Sequence, residues 1–196
     1  MSTYRVRAAS VLAAALLSVF GWISAGIAQS NSEPEKFSAS YVDINTGRSG
    51  PLQIAVTRWS TAAERAKLQK TLFKQGQEAM LDTLRDMPSV GRISTPGNIG
   101  WDLRYAEQRA LPDGGREIIL ATDRPMSIAE IMNKPRSSEY PFTWLQFRVQ
   151  RDGTGQGKVA VAARITGEEA DDLIEVEDFA LQPVRLENIQ SEKARN

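Results

Sequence analysis

Two residue types are missing altogether from the 196-residue chain, which contains no cysteine and no histidine. Without imidazole there is no His general base and no His-centred catalytic triad. Without thiols there are no Cys nucleophiles, no disulfides and no Cys or His zinc sites. An excess of charge is missing too. The 24 Lys and Arg residues balance 24 Asp and Glu, so the formal net charge is zero and no strong positive field draws the chain to nucleic acid. The low-hydrophobicity, high-charge signature of disorder is also absent, since 41% of residues are apolar and 24% charged. Carboxylates, hydroxyls, amines and backbone groups remain, and their arrangement along the chain identifies no reaction and implies no cofactor.

The strongest signal lies at the N-terminus. Arg5 and Arg7 precede the stretch Ala8 to Ala28, which carries no charge and ends in Gly26-Ile27-Ala28. A positive start, an apolar middle and small residues before the cut predict a signal peptide over residues 1–28, with the alternative that the same stretch is retained as a membrane anchor. Ser10, Ser18, Gly21 and Ser24 dilute the apolar run and a polar stretch follows at Gln29, both of which favour cleavage. The expected destination is periplasmic or secreted, with no membrane attachment after cleavage. The remaining 168 residues carry 22 basic and 24 acidic groups, a net charge of −2. That length suits a single domain with its own core.

Residues 29–36 are polar and contain Pro34, which predicts a mobile leader, and 191–196 predict a flexible tail around a single domain at 37–190. Within that domain, Leu52, Ile54 and Val56 alternate with polar or small residues as a half-buried strand does, and pair with Phe37–Ile44 in a hairpin. From Thr61 to about Met87 the period changes. Leu68, Leu72, Gly76, Met80 and Leu84 recur every four residues, Thr61 and Glu64 have capping-box spacing, and Pro88 follows the last turn. One long helix is predicted there, with Gly76 marking a bend or a close approach. Further strands are expected at Val90–Ser94 and at Ile99–Ala106, where Ile99, Trp101, Leu103 and Tyr105 share the core face. Another follows at Arg116–Thr122, then a short helix from Ser127 to Asn133. Beyond it, Leu145, Phe147 and Val149 face Val159, Val161, Ala163 and Ile165 in a hairpin, and the last strands are Leu173–Leu181 and Val184–Ile189. The fold class predicted is α+β, a mainly antiparallel curled sheet of about eight or nine strands with one long covering helix.

Few side-chain groups suggest a site. Asp123-Arg124-Pro125 sits at a strand-to-helix junction, where backbone amides can hold an anion or the two charges can fasten a turn. Tyr140-Pro141-Phe142-Thr143-Trp144 gathers three aromatics that can stack a ligand or pack beneath a helix. Asp123, Arg124, Tyr140 and Trp144 are therefore the candidate ligand-binding residues, and no catalytic residue is identified. Asp102, Glu107, Glu117 and Asp123 lie on or beside strands, so two of them converging would make the paired carboxylates of a hydrolase. The acids Glu168, Glu169, Asp171, Asp172, Glu175, Glu177 and Asp178 have a calcium-like density without EF-hand spacing. Thr166 with Glu169 predicts a solvated helical turn there, and no metal site is assigned. Gly153 to Gly157 superficially looks like a phosphate loop, but a strand follows it instead of a helix.

The runs Gly100-Trp101-Asp102-Leu103-Arg104-Tyr105-Ala106, Asp113-Gly114-Gly115-Arg116, Ala121-Thr122-Asp123-Arg124-Pro125 and Tyr140-Pro141-Phe142-Thr143 resemble a group of uncharacterised exported bacterial proteins. The resemblance implies a bacterial envelope or secreted setting and brings no activity with it. The expected function is a non-enzymatic binding or envelope-interaction module, meeting an unknown small molecule or envelope partner and no nucleic acid. The alternative is a carboxylate-based hydrolase of an envelope or extracellular polymer.

Overall fold

Alternating side-chain patterns and short turns produce a ten-stranded antiparallel sheet in the computed structural model, which describes residues 2–7, 33–126, 139–170, 173–180 and 182–193. The strands are β1 (Ser2–Arg7), β2 (Glu35–Asp43), β3 (Arg48–Val56), β4 (Gly91–Ser94), β5 (Trp101–Ala110), β6 (Arg116–Thr122), β7 (Phe142–Val149), β8 (Thr154–Glu168), β9 (Leu173–Asp178) and β10 (Val184–Lys193), with one helix, α1 (Ala62–Asp86). The antiparallel α+β class expected from the sequence holds, but the sheet is not an open curl. Strand β7 pairs with β8 from Phe142↔Ala163 to Val149↔Gly155, closing the ring β8-β10-β2-β3-β4-β5-β6-β7, while β9 and β1 extend it from the far half of β8. The glycines of the apparent phosphate loop serve this closure. A Cβ on Gly155 would stand 2.1 Å from the Arg148 carbonyl oxygen, and one on Gly157 would stand 2.2 Å from Phe147 Cβ. Only glycine lets β8 wrap that closely over β7.

The signal-peptide expectation falls mostly on residues outside the described set, apart from β1, which pairs with β9 from Ser2↔Asp178 to Arg7↔Leu173. Strand β2 starts at Glu35, inside the stretch expected to be mobile, and β10 runs on to Lys193. The short helix expected from Ser127 lies outside the described residues. Strand β8 continues through Glu168, so Thr166 sits opposite Glu175 in a ladder and not in a helical turn.

Three register shifts decide which side chains face inward. In β5, Leu103 pairs with Thr122 and Tyr105 with the adjacent Ala121, so Arg104 is an extra residue. The bulge turns Tyr105 outward and Ala106 inward, reversing the alternation expected there. Ile99, expected in the core, precedes the strand and is 83% exposed. In β8 an extra residue lies between Ala160 and Ala163, so Val159 and Val161 face the lumen whereas Ala163 and Ile165 turn outward. A third shift in β10 spans Glu187 to Gln190, where Asn188 adopts φ 52°.

Eight strands enclose a space that side chains can fill, and here they fill it. Phe37, Leu52, Ile54, Ile93, Leu103, Ile118, Leu120, Leu145 and Phe147 are all at most 2% exposed, with the Phe37 and Phe147 rings edge to face at 5.2 Å. Each such side chain contributes roughly 1.5–3 kcal/mol by leaving water. One end of the lumen is closed by a charge pair. Glu35 on β2 and Arg116 on β6, opposite one another in the ring, meet through two hydrogen bonds of 2.6 and 2.8 Å, with Ser191 Oγ donating to Glu35 and Arg116 donating to Gln108 Oε1. Glu35 is 4% exposed.

The helix begins where the sequence predicts. Thr61 accepts from the Glu64 amide and Glu64 accepts from the Thr61 amide, completing the capping box, while Arg58 holds the Glu64 carboxylate through two bonds of 2.9 Å and draws its pKa down to about 2. Its apolar stripe of Leu68, Leu72, Met80, Leu81 and Leu84 is buried against outward-facing residues of β5 to β9. Gly76 breaks the helix at φ 83°, ψ −176°, a conformation open essentially to glycine alone. A Cβ there would meet nothing within 4 Å, so the glycine provides the bend and not a close approach. Gln77 fixes the bend by accepting from the Ile165 amide at 3.1 Å and donating to the Glu139 carbonyl at 3.0 Å.

Two consequences are measurable. Replacing Arg116 by Met leaves the buried Glu35 carboxylate without the guanidinium that holds it and is expected to cost about 3–5 kcal/mol in urea denaturation, most of it recovered by adding Glu35→Gln. A double variant as unstable as the single one would show that the clamp itself, and not the stranded charge, matters. At the other end of the lumen Asp178 is fully buried, with Oδ1 accepting from the Ala180 amide and Oδ2 without a partner among the described residues. Burial, reinforced by the nearby Asp43, pushes its carboxyl up to about 7. Because the folded value lies above the unfolded one, stability is fully present below the ordinary carboxyl pKa and falls as pH rises toward 7. Asp178→Asn is expected to flatten that decline between pH 5 and 8 by up to about 3 kcal/mol, an upper bound from the part of the shift that falls in this window. Parallel profiles for variant and parent would contradict it.

Candidate functional site

Described side chains fill the lumen, and among the described residues an apolar concave surface lies outside it. Ala121 on β6, Phe142 and Trp144 on β7, Ile165 on β8 and Ile174 on β9 form an apolar floor, and Leu68, Leu72, Met80 and Leu84 of α1 form the roof. Between them is a half-open cavity of about 570 Å³. Small side chains make the space: Ala62 and Ala66 on the helix and Ala110 and Ala121 on the wall stand where larger residues would fill it. The size and composition suit a small apolar molecule.

The mouth is polar. The bulge at Arg104 places Tyr105, Glu107 and Arg109 on one outward row of β5, facing Arg65 on the first turn of α1. The Glu107 carboxylate accepts from the Tyr105 hydroxyl at 2.6 Å and from Arg109 through two bonds of 3.1 Å. Burial, then the charge and hydrogen bond of Glu107, pushes the Tyr105 phenol far above its ordinary pKa, so it remains a donor. Burial opposes the charge on Arg109, but the hydrogen bonds and charge of Glu107, together with Tyr105 and Glu117, outweigh it and raise the guanidinium pKa. Arg65 stands farther off, with Nε 3.7 Å from Glu107 Oε1 and Nη1 donating to the Ser60 carbonyl at 2.6 Å.

Of the four candidate binding residues, Trp144 lines this cavity. It is 9% exposed, and its indole N–H is buried with no acceptor among the described residues. The other three lie elsewhere. Asp123 accepts from Arg104 Nε at 3.1 Å, and Arg104 also donates to the Met87 carbonyl at 2.9 Å, tying the strand end to the helix end. Arg124 is exposed, and its carbonyl accepts from the Thr122 and Thr143 hydroxyls, which fasten the junction. Tyr140 is buried in a separate cluster, donating to Glu177 Oε1 at 3.0 Å, with Arg164 over its ring at 5.6 Å and Phe179 edge-on at 5.3 Å.

The four acids weighed for hydrolysis do not share one cavity. Glu107 is at the mouth of the cavity, while Glu117 accepts from Gln146 Nε2 at 2.8 Å in a different, polar groove beside Arg148 and Lys158. Asp102 pairs with Arg92 at 3.1 Å and Asp123 with Arg104, and neither lines either cavity. Asp171 and Asp172 of the acidic run lie outside the described residues. Among the described residues no group of three or more acids is placed to hold a metal ion, and no helix is long and apolar enough to cross a membrane. Sequence reasoning missed Arg65, Tyr105 and Arg109 as site residues. The alternation Tyr105-Glu107-Arg109 was visible, but the bulge that turns it toward the helix was not.

No protein-family model, curated protein or solved structure matches this chain.

Proposed function

We propose that the protein is an exported, non-enzymatic binding module that takes a small, largely apolar molecule into the cavity between α1 and the outer barrel wall. The observation carrying this reading is the cavity itself: about 570 Å³ walled by aliphatic and aromatic side chains, with polar groups gathered at one mouth. Asp102, Glu107, Glu117 and Asp123 do not line one cavity together, which favours binding over hydrolysis by paired carboxylates acting across one substrate. The indole N–H of Trp144 offers a donor to any acceptor atom reaching the floor. Export rests on the basic start and uncharged run of residues 1–28, together with the resemblance to exported bacterial proteins.

An environment-sensitive apolar dye is expected to bind saturably and to change the emission of Trp144, with Trp59 and Trp101, both deep in the barrel core, as the background. Ala121→Leu fills the floor and is expected to weaken dye binding at least tenfold while leaving the melting temperature equal or higher, as cavity-filling changes do. Saturable binding unchanged in that variant would place the dye elsewhere and sink the assignment. For export, intact-mass analysis of the protein recovered from the periplasm or medium is expected to find a chain starting at Gln29. Finding only full-length protein in the soluble cytosol would overturn it.

A further inference from the structure

The charges at the cavity mouth do not cancel, and their geometry says which one is available. Glu107 is satisfied twice over, by both nitrogens of the Arg109 fork and by the Tyr105 hydroxyl. Arg65 reaches the same carboxylate only at 3.7 Å, longer than a hydrogen bond, and its side chain is 36% exposed. It is held from behind by the Ser60 carbonyl, at the start of a helix whose capping box fixes the first turn. Two guanidiniums therefore share one carboxylate. These three are the charged side chains that line the cavity, a balance of one positive charge, while Glu117 and Lys158 line the polar groove on the adjoining wall. That charge sits on a preoriented fork beside an apolar chamber.

We propose that the ligand is a free monoanionic amphiphile, a carboxylic acid with an apolar body, whose head pairs with Arg65 at the mouth while the body lies over Trp144 and Ala121. This rests on the reading of the cavity as the binding site and adds the chemical class of what it takes. A single surplus charge fits a monoanion better than a phosphate dianion. A neutral molecule of the same shape would leave the Arg65 fork unused, and a cation would be repelled by it. Tyr105 supports the arrangement by occupying Glu107, so that the carboxylate does not swing across to Arg65.

The test compares dodecanoate, dodecan-1-ol and dodecylamine as competitors of the apolar dye, using the full mature chain at neutral pH and low salt. Dodecanoate is expected to bind about tenfold more tightly than the alcohol, consistent with one charge-assisted contact. The margin should shrink in high salt, disappear in Arg65→Ala and survive in Arg65→Lys, which keeps the charge if the alanine variant loses the Ser60 contact and folds poorly. Equal binding of acid and alcohol would overturn the anion preference while leaving the cavity assignment standing, and tightest binding by the amine would overturn it as well. Failure of all three to displace the dye would sink the cavity reading itself. Vesicles of anionic phospholipid form a separate arm. Sedimentation with vesicles without any binding of dodecanoate would assign the mouth to a bilayer surface and overturn the proposal of a free acid.

Discussion

Ring closure between β7 and β8 is the contact on which the rest of the structure depends. A sheet of this size left open would have one apolar face and two free edges. Joined into a ring of eight, it has a lumen that its own side chains fill, so the edges between the closing strands disappear and a dense core forms in a chain without cysteine. Closure is possible because Gly155 and Gly157 let β8 press against the β7 backbone where any side chain would collide. With the lumen full, the apolar concave surface lies on the outer wall, beneath the helix.

An outward-facing apolar wall normally conflicts with solubility, and here two bulges create it. The extra residue in β5 sends Tyr105 outward, and the extra residue in β8 does the same for Ala163 and Ile165. Each shift transfers part of a strand from the lumen pattern to the helix-facing pattern, because side chains alternate with a strict period of two. The helix covers the patch so produced, but small residues at Ala62, Ala66, Ala110 and Ala121 leave it incompletely filled. The two bulges thus add to the outer wall, and the helix with its small residues shapes the cavity over it.

The sequence made legible whatever depended on local pattern. The helix bounds, the Thr61 and Glu64 cap and most strands follow from periodicity and capping chemistry, which act within a few residues and leave their mark on composition. Ring closure was not legible, since it joins strands by long-range pairing that no window contains. The orientation of Tyr105 and of Ala163 with Ile165 failed for a related reason: a bulge is set by the partner strand as much as by its own residues. Trp144 drew attention through its aromatic neighbours, whereas Arg65 carried no signal, because an Arg in the first turns of a helix resembles any solvated one until the strand opposite it is known. Asp123 stood out as a charged residue at a junction, but its partner Arg104 is 19 positions away and is presented by the bulge.

The far half of β8 links the site to the N-terminus. Pairing with β10 ends at Val159, and from Ala163 onward this strand carries β9, whose Ile174 helps to wall the cavity and whose outer edge is paired with β1. Residues of β1 belong to the segment whose removal the export proposal requires, so processing would uncover that edge. The inner edge has independent fastenings. Six register pairs from Ala163↔Asp178 to Glu168↔Leu173 hold β9 to β8, and Glu177 ties it to both Arg164 and Tyr140. Loss of β1 would therefore expose backbone without dismantling the wall. The strand left at the margin carries Glu175, Glu177 and Asp178, and acidic residues on a margin oppose edge-to-edge pairing between copies of the chain. The same acids that resembled a metal cluster in the sequence thus have a physical role where they stand: one anchors the strand, one is buried against the end of the barrel, and Glu175 lends the free margin charge.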